Sequence, residues 1–170
     1  MNLKTTVLPP LVLTIICTVI SGALIFVNNI TKERVEEINR ETLNESLTSA
    51  FGEGTYTQTD KTFDGVDKII EGEGGLYVYE VTTDGYNSDG IHILVGIKDG
   101  AVEGVSFISC SETPGLGTKV NNDDYLKTYV GVKSEAEADG VDAVTGATFS
   151  SKGLKAAVKL ALAADMEARQ

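Results

Sequence analysis

The feature that most limits the fold of this chain is an uncharged apolar run near its N-terminus. No charged residue lies between Lys4 and Lys32, and within that interval the stretch VLPPLVLTIICTVISGALIFV occupies residues 7–27. Because an α-helix rises about 1.5 Å per residue, this stretch is long enough to cross a hydrocarbon layer about 30 Å thick. The run therefore predicts a single-pass transmembrane anchor over residues 1–30.

Two other kinds of N-terminal segment have a similar composition. A cleaved signal peptide would use the small residues Ser21, Gly22 and Ala23, and a lipoprotein signal would end at Cys17. The apolar run continues past the first site, and the bulky Ile16 precedes Cys17 where a small residue is expected, so both patterns favour an uncleaved anchor. The flanking charges do not decide the orientation. A first helix followed by a large acidic domain usually places that domain outside the cytoplasm, and we adopt this topology as the expectation.

Charge is distributed unevenly along the chain. All 25 acidic residues follow Lys32, as do all of the 14 basic residues except Lys4 and Lys32 itself. The part after the anchor is therefore strongly acidic and would repel nucleic-acid phosphates. These observations argue against a nucleic-acid partner.

The two cysteines and the single histidine predict neither a disulfide nor a metal site. Cys17 lies in the apolar run and Cys110 in the polar part of the chain, so a bridge between them would have to reach into the membrane. Cys110 is interpreted as a small buried hydrophobe rather than a reactive thiol. His92 has no companion ligand and is interpreted as a surface or sheet-packing residue.

Residues 31–74 separate the anchor from the region with the clearest strand patterns. An approximate helical stripe with one gap of five residues predicts a stalk helix over residues 31–51, formed by Val35, Ile38, Leu43, Leu47 and Phe51. Residues 52–75 are rich in Gly, Thr and Asp, and predict loops with one short element near residues 66–70.

Strand signals begin at residue 75. GLYVYEVTT (75–83) is aromatic and β-branched, and in GIHILVGI (90–97) the residues Ile91, Ile93, Val95 and Ile97 share one face. AVEGVSFIS (101–109) follows an Asp99-Gly100 turn and predicts a hairpin with the preceding strand. Strands followed by helices indicate an α+β domain with a small, mainly antiparallel sheet and flanking helices.

Two helices are predicted near the C-terminus. NDDYLKTYVG (122–131) begins with a capping residue and ends at glycine, which is typical of a short helix. Apolar residues that recur every four positions from Leu154 to Met166 predict the final helix. Ser150 or Ser151, which precede this repeat, is expected to be its N-cap.

Two stretches carry features beyond secondary structure. SETPGLGTK (111–119) combines proline with two glycines, which defines a loop whose backbone N–H groups can approach a flat or anionic ligand; it can also be a rigid connection. DAVTGATFSS (142–151) places Thr145, Thr148, Ser150 and Ser151 around Gly146 at a helix N-terminus. Amides and hydroxyls there favour an anion such as phosphate. Simple N-capping needs only one serine and leaves TGAT unexplained.

The residues 142–148, DAVTGAT, match D-x-x-[ST]-G-A-[ST], the flavinylation motif of the FMN-binding domain family. The chain resembles this family, in particular the G subunits of Rnf complexes, and it is similar to the related C subunits of sodium-translocating NADH:quinone reductases. In these proteins one N-terminal helix carries an extracytoplasmic domain, and an ETPGLG loop precedes the TGAT motif, as here. The resemblance covers the anchor and about residues 75–165, so residues 75–170 are predicted to form the FMN-binding domain.

The resemblance implies that a dedicated flavin transferase esterifies the hydroxyl of Thr148 to the phosphate of FMN, so that the chain is a flavoprotein with a phosphoester, and in that sense a phosphoprotein. Asp142 would orient the loop or be read by the transferase. The predicted cofactor-binding residues are Asp142, Thr145, Gly146, Ala147 and Thr148 of the motif and Glu112, Thr113, Gly115, Leu116, Gly117, Thr118 and Lys119 of the loop.

Within the loop, the resemblance implies that Leu116 packs against the flavin ring and that Lys119 places positive charge near the reduced ring. Relatives often have histidine two residues before the ETPGLG glutamate, where this chain has Cys110. A polar or protonic role at that position is therefore not expected here.

The function implied is that of an electron-transfer subunit with no catalytic residue of its own, in the cell (inner) membrane with its FMN domain on the extracytoplasmic side. It would act with the other Rnf subunits, which pass electrons from reduced ferredoxin to NAD and export sodium ions or protons. The alternatives are a quinone-reductase C subunit, a non-redox membrane-anchored binding module in which TGAT is only a cap, and a stand-alone extracellular reductase. The last lacks support, because the sequence has no haem-attachment motif.

Overall fold

The computed structural model describes the backbone of residues 3–169, and the side chains from residue 10 onward except those of residues 33 and 36. Residues 1, 2 and 170 of the predicted domains, and the side chain of Lys4, lie outside this description. The described chain contains four α-helices and five β-strands: α1 Leu3–Phe51, β1 Thr57–Gln58, β2 Lys68–Glu71, β3 Leu76–Thr83, β4 Ile91–Lys98, β5 Ala101–Cys110, α2 Asp123–Leu126, α3 Glu135–Asp139 and α4 Thr148–Ala168.

The chain divides into two compact units, residues 1–42 and residues 43–170. The first consists of most of α1, whose large apolar side chains between Leu11 and Ile30 are exposed. Its most apolar 18-residue window has a mean hydropathy of 2.5. The hydroxyls of Thr14 and Thr18 donate to the carbonyls four residues earlier, so these polar groups are satisfied within the helix. By length and composition, α1 is the one helix in the described residues able to cross a membrane, as predicted.

An antiparallel sheet with the strand order β1-β2-β3-β4-β5 lies at the centre of the second unit. The long strands β3, β4 and β5 pair along their lengths, and the turn Asp99-Gly100 joins the last two. Both turn residues have positive φ, 51° and 75°, which is the backbone geometry of a tight two-residue hairpin. The predicted hairpin and the α+β class are confirmed.

The two faces of the sheet are buried by different helices. On one face, Ile91, Ile93, Val95 and Ile97 form a single cluster with apolar residues of α4 such as Leu154, as the alternation in β4 predicted. On the other face, Val78 and Leu94 pack with Leu47 near the end of α1. The ring of Phe51 lies against Gly96, where an added Cβ would collide with it. The second unit is therefore a sheet enclosed between two helical segments.

The predicted stalk is helical, but its apolar stripe is buried only at its C-terminal end. Leu43, Leu47 and Phe51 pack against the sheet of the second unit, whereas Val35 and Ile38 are about half exposed. The gap of five residues between Ile38 and Leu43 coincides with the boundary between the units. The stripe is thus interrupted where the pattern departs from helical spacing.

The segment between α1 and β3 contains more regular structure than its composition predicts. The short element expected near residues 66–70 is the strand β2, and β1 pairs with it in antiparallel fashion. Both strands extend the main sheet. The sheet therefore includes two strands that precede residue 75.

The short helix predicted after Asn122 is present as α2, and the side chain of Asn122 accepts hydrogen bonds from the N–H groups of Asp124 and Tyr125. The following helix α3 was not predicted. Its first turn is capped by the hydroxyl of Ser134, which accepts from the N–H of Glu137.

The N-cap predicted for the last helix is wrong. α4 begins at Thr148, and Ala147 occupies the N-cap position without a side-chain hydrogen bond. Ser150 and Ser151 lie inside the first turn and are buried. The helix begins earlier because Gly146, with φ of 81°, closes a turn in which the N–H of Ala147 donates to the carbonyl of Val144 at 2.9 Å.

Candidate functional site

Three segments far apart in the sequence meet at one end of the sheet. They are the loop 84–90 between β3 and β4, the ETPGLG loop (residues 111–119) after β5, and the segment 144–151 at the start of α4. The N–H of Ser111 donates to the carbonyl of Gly90 at 2.9 Å, and the hydroxyl of Thr83 donates to the carbonyl of Gly153 at 2.9 Å. The sheet thus positions both loops beside the first turns of α4.

The buried side chain of Glu112 connects the three segments. Its Oε1 accepts hydrogen bonds from the N–H groups of Tyr86 at 3.1 Å and Asn87 at 3.2 Å. Its Oε2 accepts from the hydroxyl of Ser150 at 2.5 Å and from the N–H of Tyr86 at 3.2 Å. Glu112 is only 5% exposed, and a carboxylate removed from water requires such donors. Both oxygens of the glutamate that was predicted to line the flavin therefore accept hydrogen bonds from the protein itself.

Glycines allow the segments to approach this carboxylate. A Cβ added to Gly85, Gly90 or Gly117 would collide with the side chain of Glu112, and at Gly117 it would also meet the hydroxyl of Ser150. Gly117 is one of the two glycines of the ETPGLG loop, whereas Gly115 has φ of 73°, a conformation that suits glycine. Gly117 is thus required for lack of space, and Gly115 is favoured by its backbone conformation.

A cleft of about 380 Å³ opens between the ETPGLG loop and the start of α4. Its size falls within the range of small-molecule sites, about 300 to 1,000 Å³. Five predicted site residues line it: Thr113, Leu116, Gly117, Gly146 and Ala147. Three further lining residues were not predicted to contact the ligand: Tyr86, Phe149 and Ser150. The structure therefore brings the two predicted motifs together around one space.

The four hydroxyl side chains of the TGATFSS stretch separate into two pairs. Ser150 donates to Glu112, and Ser151 accepts from the N–H of Val144 at 3.0 Å, so both buried hydroxyls hold the local structure. Thr145 and Thr148 are exposed. Thr148 is the first residue of α4, at a helix end whose N-cap side chain provides no hydrogen bond. An exposed threonine therefore lies at the positive end of a 21-residue helix.

Two lysines lie near this helix end. The Nζ of Lys119 is 3.7 Å from the position that a Cβ would occupy on Gly146, so its charge lies beside the TGAT turn. The Nζ of Lys152 is 6.0 Å from the centre of the Phe149 ring. Thr118, the other polar residue at the end of the loop, accepts a hydrogen bond from the N–H of Gly115 at 2.9 Å and so shapes the loop.

Sequence reasoning missed Tyr86 and Phe149. They are 71% and 62% exposed, and their ring centres are 6.2 Å apart with the planes at 71°. The position of Phe149 directly after the motif threonine was an available signal. Tyr86 lies in a loop without any motif, and contacts of that loop with Glu112 and Ser111 bring it to the cleft.

Asp142, Cys110 and His92 lie elsewhere. Asp142 lines a separate groove with Tyr125, and does not line the cleft. Burial raises the pKa of the Cys110 thiol, which agrees with its interpretation as a packing residue. His92 contacts Glu80 at 3.0 Å on the sheet, as expected of a sheet-packing histidine.

Comparison with known proteins agrees with this geometry. Residues 85–163, which include every residue that lines the cleft, match the FMN-binding domain family. The chain is 34% identical over 121 residues to the G subunit of the ion-translocating oxidoreductase complex of Haemophilus influenzae, covering 62% of this chain and 56% of that protein. The chain therefore spans little more than half the length of this relative.

Two relatives have more specific names. The G subunit of the Na(+)-translocating ferredoxin:NAD(+) oxidoreductase complex of Acetobacterium woodii is 26% identical over 182 aligned positions, covering 89% of this chain and 87% of that protein. The G subunit of the proton-translocating ferredoxin:NAD(+) oxidoreductase complex of Clostridium ljungdahlii is 33% identical over 95 residues, 51% of each chain. Residues 85–163 are thus similar to the FMN-binding domain family, and the chain is similar to the G subunits of ion-translocating oxidoreductase complexes.

Proposed function

We propose that this chain is the FMN-carrying electron-transfer subunit of a membrane-bound, ion-translocating oxidoreductase of the ferredoxin:NAD type. The names of two relatives describe such complexes, and the cleft lies within the segment that matches the FMN-binding family. The chain would have no substrate site of its own. Electrons would enter and leave through its flavin.

The observation that carries this proposal is the placement of Thr148. Its exposed hydroxyl lies at the N-terminus of α4, beside a cleft with an apolar wall. The helix end favours negative charge by about 0.3 to 1 kcal/mol, and backbone N–H groups there point outward. Ser150 and Ser151 are already bonded within the protein, so capping does not account for the motif.

The proposed attachment is a phosphoester between Oγ1 of Thr148 and FMN. A flavin transferase would use an activated flavin phosphoanhydride, because direct condensation in water is unfavourable. The bond from phosphorus to the leaving phosphate breaks as the new bond from Oγ1 to phosphorus forms, and the hydroxyl proton passes to a base. The protein gains the mass of FMN less one water. Asp142, on the neighbouring groove, is available for recognition by the transferase.

The residues around the cleft fit such a cofactor. Leu116 is 53% exposed and lies where an apolar ring can pack on it, and Gly117 and Gly146 leave room beside it. Lys119 was expected near the reduced ring, but its charge lies beside Gly146 of the TGAT turn, so we place it at the phosphate end of the cofactor. Bound FMN supplies a ring that accepts and donates electrons, and the phosphoester leaves that ring unaltered.

The apolar part of α1 would anchor the chain in the cell membrane, with the second unit on the extracytoplasmic side. This side is inferred from the usual topology of a first helix followed by an acidic domain. The partners would be the membrane subunits of the complex and, during maturation, the flavin transferase. The redox role and this location together require flavinylation outside the cytoplasm.

Two alternatives make different predictions for the same variant. A non-redox scaffold would not need the hydroxyl of Thr148, and a quinone-reductase C subunit would need it but would support quinone reduction. The experiment compares membranes from cells that lack the chromosomal gene and produce wild type, Thr148→Ser or Thr148→Ala. Reduction of NAD by reduced ferredoxin and reduction of quinone by NADH are both measured, with equal amounts of the chain verified by immunoblot.

We expect ferredoxin-dependent NAD reduction in wild type and Thr148→Ser, and its loss in Thr148→Ala. Full turnover in Thr148→Ala would support the scaffold and contradict the redox role. Thr148-dependent reduction of quinone without ferredoxin-dependent NAD reduction would assign the chain to the quinone-reductase type instead.

A further inference from the structure

The exposed apolar surface of the second unit is concentrated at the cleft. Among the described residues 43–169, the large hydrophobic side chains that are more than half exposed are Tyr86, Leu116, Val130, Phe149 and Met166. Three of these, Tyr86, Leu116 and Phe149, line the cleft. Because exposed apolar side chains grouped in one place mark binding surfaces, this grouping indicates a flat apolar ligand.

Tyr86 and Phe149 form a defined pair although they come from different segments. Their rings meet edge to face, with centres 6.2 Å apart, which is a favourable arrangement for aromatic side chains. Phe149 directly follows Thr148 in the first turn of α4, and Tyr86 projects from the loop 84–90. The pair therefore lies beside the attachment point that we propose.

Glu112 bonds the backbone of one member of the pair and the side chain of the residue next to the other member. It accepts hydrogen bonds from the N–H of Tyr86 and from the hydroxyl of Ser150, the residue after Phe149. Gly85, the residue before Tyr86, has no room for a Cβ beside this carboxylate. Since both oxygens of Glu112 bond protein donors and the residue is 5% exposed, its contribution to ligand binding is through the position of its neighbours.

We propose that Tyr86 and Phe149 form an aromatic wall against which the isoalloxazine ring packs, together with Leu116, and that Glu112 is a positioning residue for this wall. This inference rests on the proposed attachment of FMN at Thr148. A phenol in contact with the ring would quench flavin fluorescence by reversible donation of an electron. Tyr86, which lines the cleft, would therefore quench the fluorescence of bound flavin.

The test compares flavin fluorescence of the full chain, purified in detergent after co-expression with a flavin transferase, before and after denaturation. Each native value is divided by the denatured value, which corrects for the extent of attachment. Wild type should be strongly quenched when native, and Tyr86→Leu should recover most of the denatured signal. Phe149→Leu should recover part of the denatured signal, because the ring of Tyr86 loses the aromatic neighbour that it packs against. Tyr125→Phe is the control, since Tyr125 lines the other groove.

A native signal in Tyr86→Leu that stays as quenched as in wild type would overturn the aromatic wall. Equal recovery in Tyr125→Phe would also overturn it, because any loss of a phenol would then have the same effect. If no polypeptide carried fluorescent flavin on a denaturing gel, the covalent attachment would be wrong and this inference would fall with it. The two failures are therefore distinguishable.

The role of Glu112 needs a variant that separates positioning from general stability. Glu112→Gln keeps the shape of the side chain but replaces one acceptor oxygen by a donor. An amide nitrogen in place of Oε2 cannot accept from the N–H of Tyr86 and requires the hydroxyl of Ser150 to accept instead of donate. We expect partial recovery of native fluorescence and a changed circular dichroism signal in the flavin bands. Asp165→Asn is the control, because Asp165 is a buried carboxylate of α4 bonded to Tyr79 and lies outside the cleft. If Asp165→Asn released fluorescence as much as Glu112→Gln did, positioning by Glu112 would be refuted.

Discussion

The hydroxyl of Ser150 donates a 2.5 Å hydrogen bond to the carboxylate of Glu112, and both residues are almost fully buried. These two residues are 38 positions apart, and their bond joins the first turn of α4 to the ETPGLG loop. The two motifs of the chain are therefore parts of one structure. Their relative position depends on a buried polar contact and not only on apolar packing.

Removal of this contact should destabilise the second unit. Ser150→Ala removes the hydroxyl donor at 2.5 Å from Oε2 of Glu112, which then keeps only the N–H of Tyr86 at 3.2 Å. Loss of a hydrogen bond to a charged group costs about 1.5 to 3 kcal/mol. Thermal unfolding of the full chain in detergent should show a lower midpoint for Ser150→Ala than for the control Ser109→Ala, whose side chain is exposed. Equal midpoints for the two variants would show that the contact contributes little.

A second buried network lies between the sheet and α4. The hydroxyl of Tyr79 donates to Asp165 at 3.0 Å, and Arg169 pairs with the same carboxylate at 2.8 Å. Tyr79→Phe should lower the free energy of unfolding by about 1 to 3 kcal/mol, because Asp165 loses a buried donor. Denaturant titration followed by circular dichroism measures this change. Tyr77→Phe, an exchange on a partly buried tyrosine of the same strand, provides the comparison, and an equal loss in both would contradict a specific role for the network.

Acid should destabilise the protein partly through Glu80. Burial alone would raise the pKa of Glu80, but hydrogen bonds from His92 and Lys68 outweigh it and hold that pKa below its usual range. A lowered folded-state pKa means that Glu80 contributes stability above the unfolded pKa, about 4.3, and loses that contribution as the pH falls through the folded value. Unfolding midpoints of wild type should therefore drop more steeply below about pH 4.3 than those of Glu80→Gln. Parallel pH profiles would argue that Glu80 is not responsible.

The proposed location predicts a protection pattern. Spheroplasts treated with a protease should lose the second unit while their cytoplasmic proteins remain intact, because residues 43–170 would face outward. A tag at the C-terminus followed by immunoblot measures the loss. Complete survival of the tag in intact spheroplasts, with digestion only after lysis, would place the domain in the cytoplasm.

Patterns that depend on neighbouring residues were readable from the sequence. The alternation of Ile91, Ile93 and Val95 identified a buried strand face, and the Asp99-Gly100 turn identified the hairpin. Both features are determined by side-chain periodicity and turn geometry, which are local properties. The TGAT and ETPGLG motifs, which were singled out by their residue types and by resemblance to the FMN-binding domain family, both contribute residues to the cleft.

Features decided by distant contacts were not readable. Local propensity assigned Ser150 to a helix cap, whereas its hydroxyl bonds Glu112 and the helix begins at Thr148. Glu112 was expected to line the flavin, and the sequence alone does not show that protein groups donate to both of its oxygens. Tyr86 reaches the cleft because the loop 84–90 is held by that same carboxylate and by hydrogen bonds with Ser111.

The measurement that tests the central claim most directly is the mass of the intact chain after co-expression with a flavin transferase, for wild type and three variants. Wild type, Thr148→Ser and Thr145→Ala should each gain the mass of one FMN less one water and remain fluorescent on a denaturing gel. Thr148→Ala should gain nothing while keeping the circular dichroism spectrum of a folded domain. If Thr148→Ala gained the flavin mass and Thr145→Ala did not, or if denaturation released flavin from all four proteins, Thr148 would not be the attachment site.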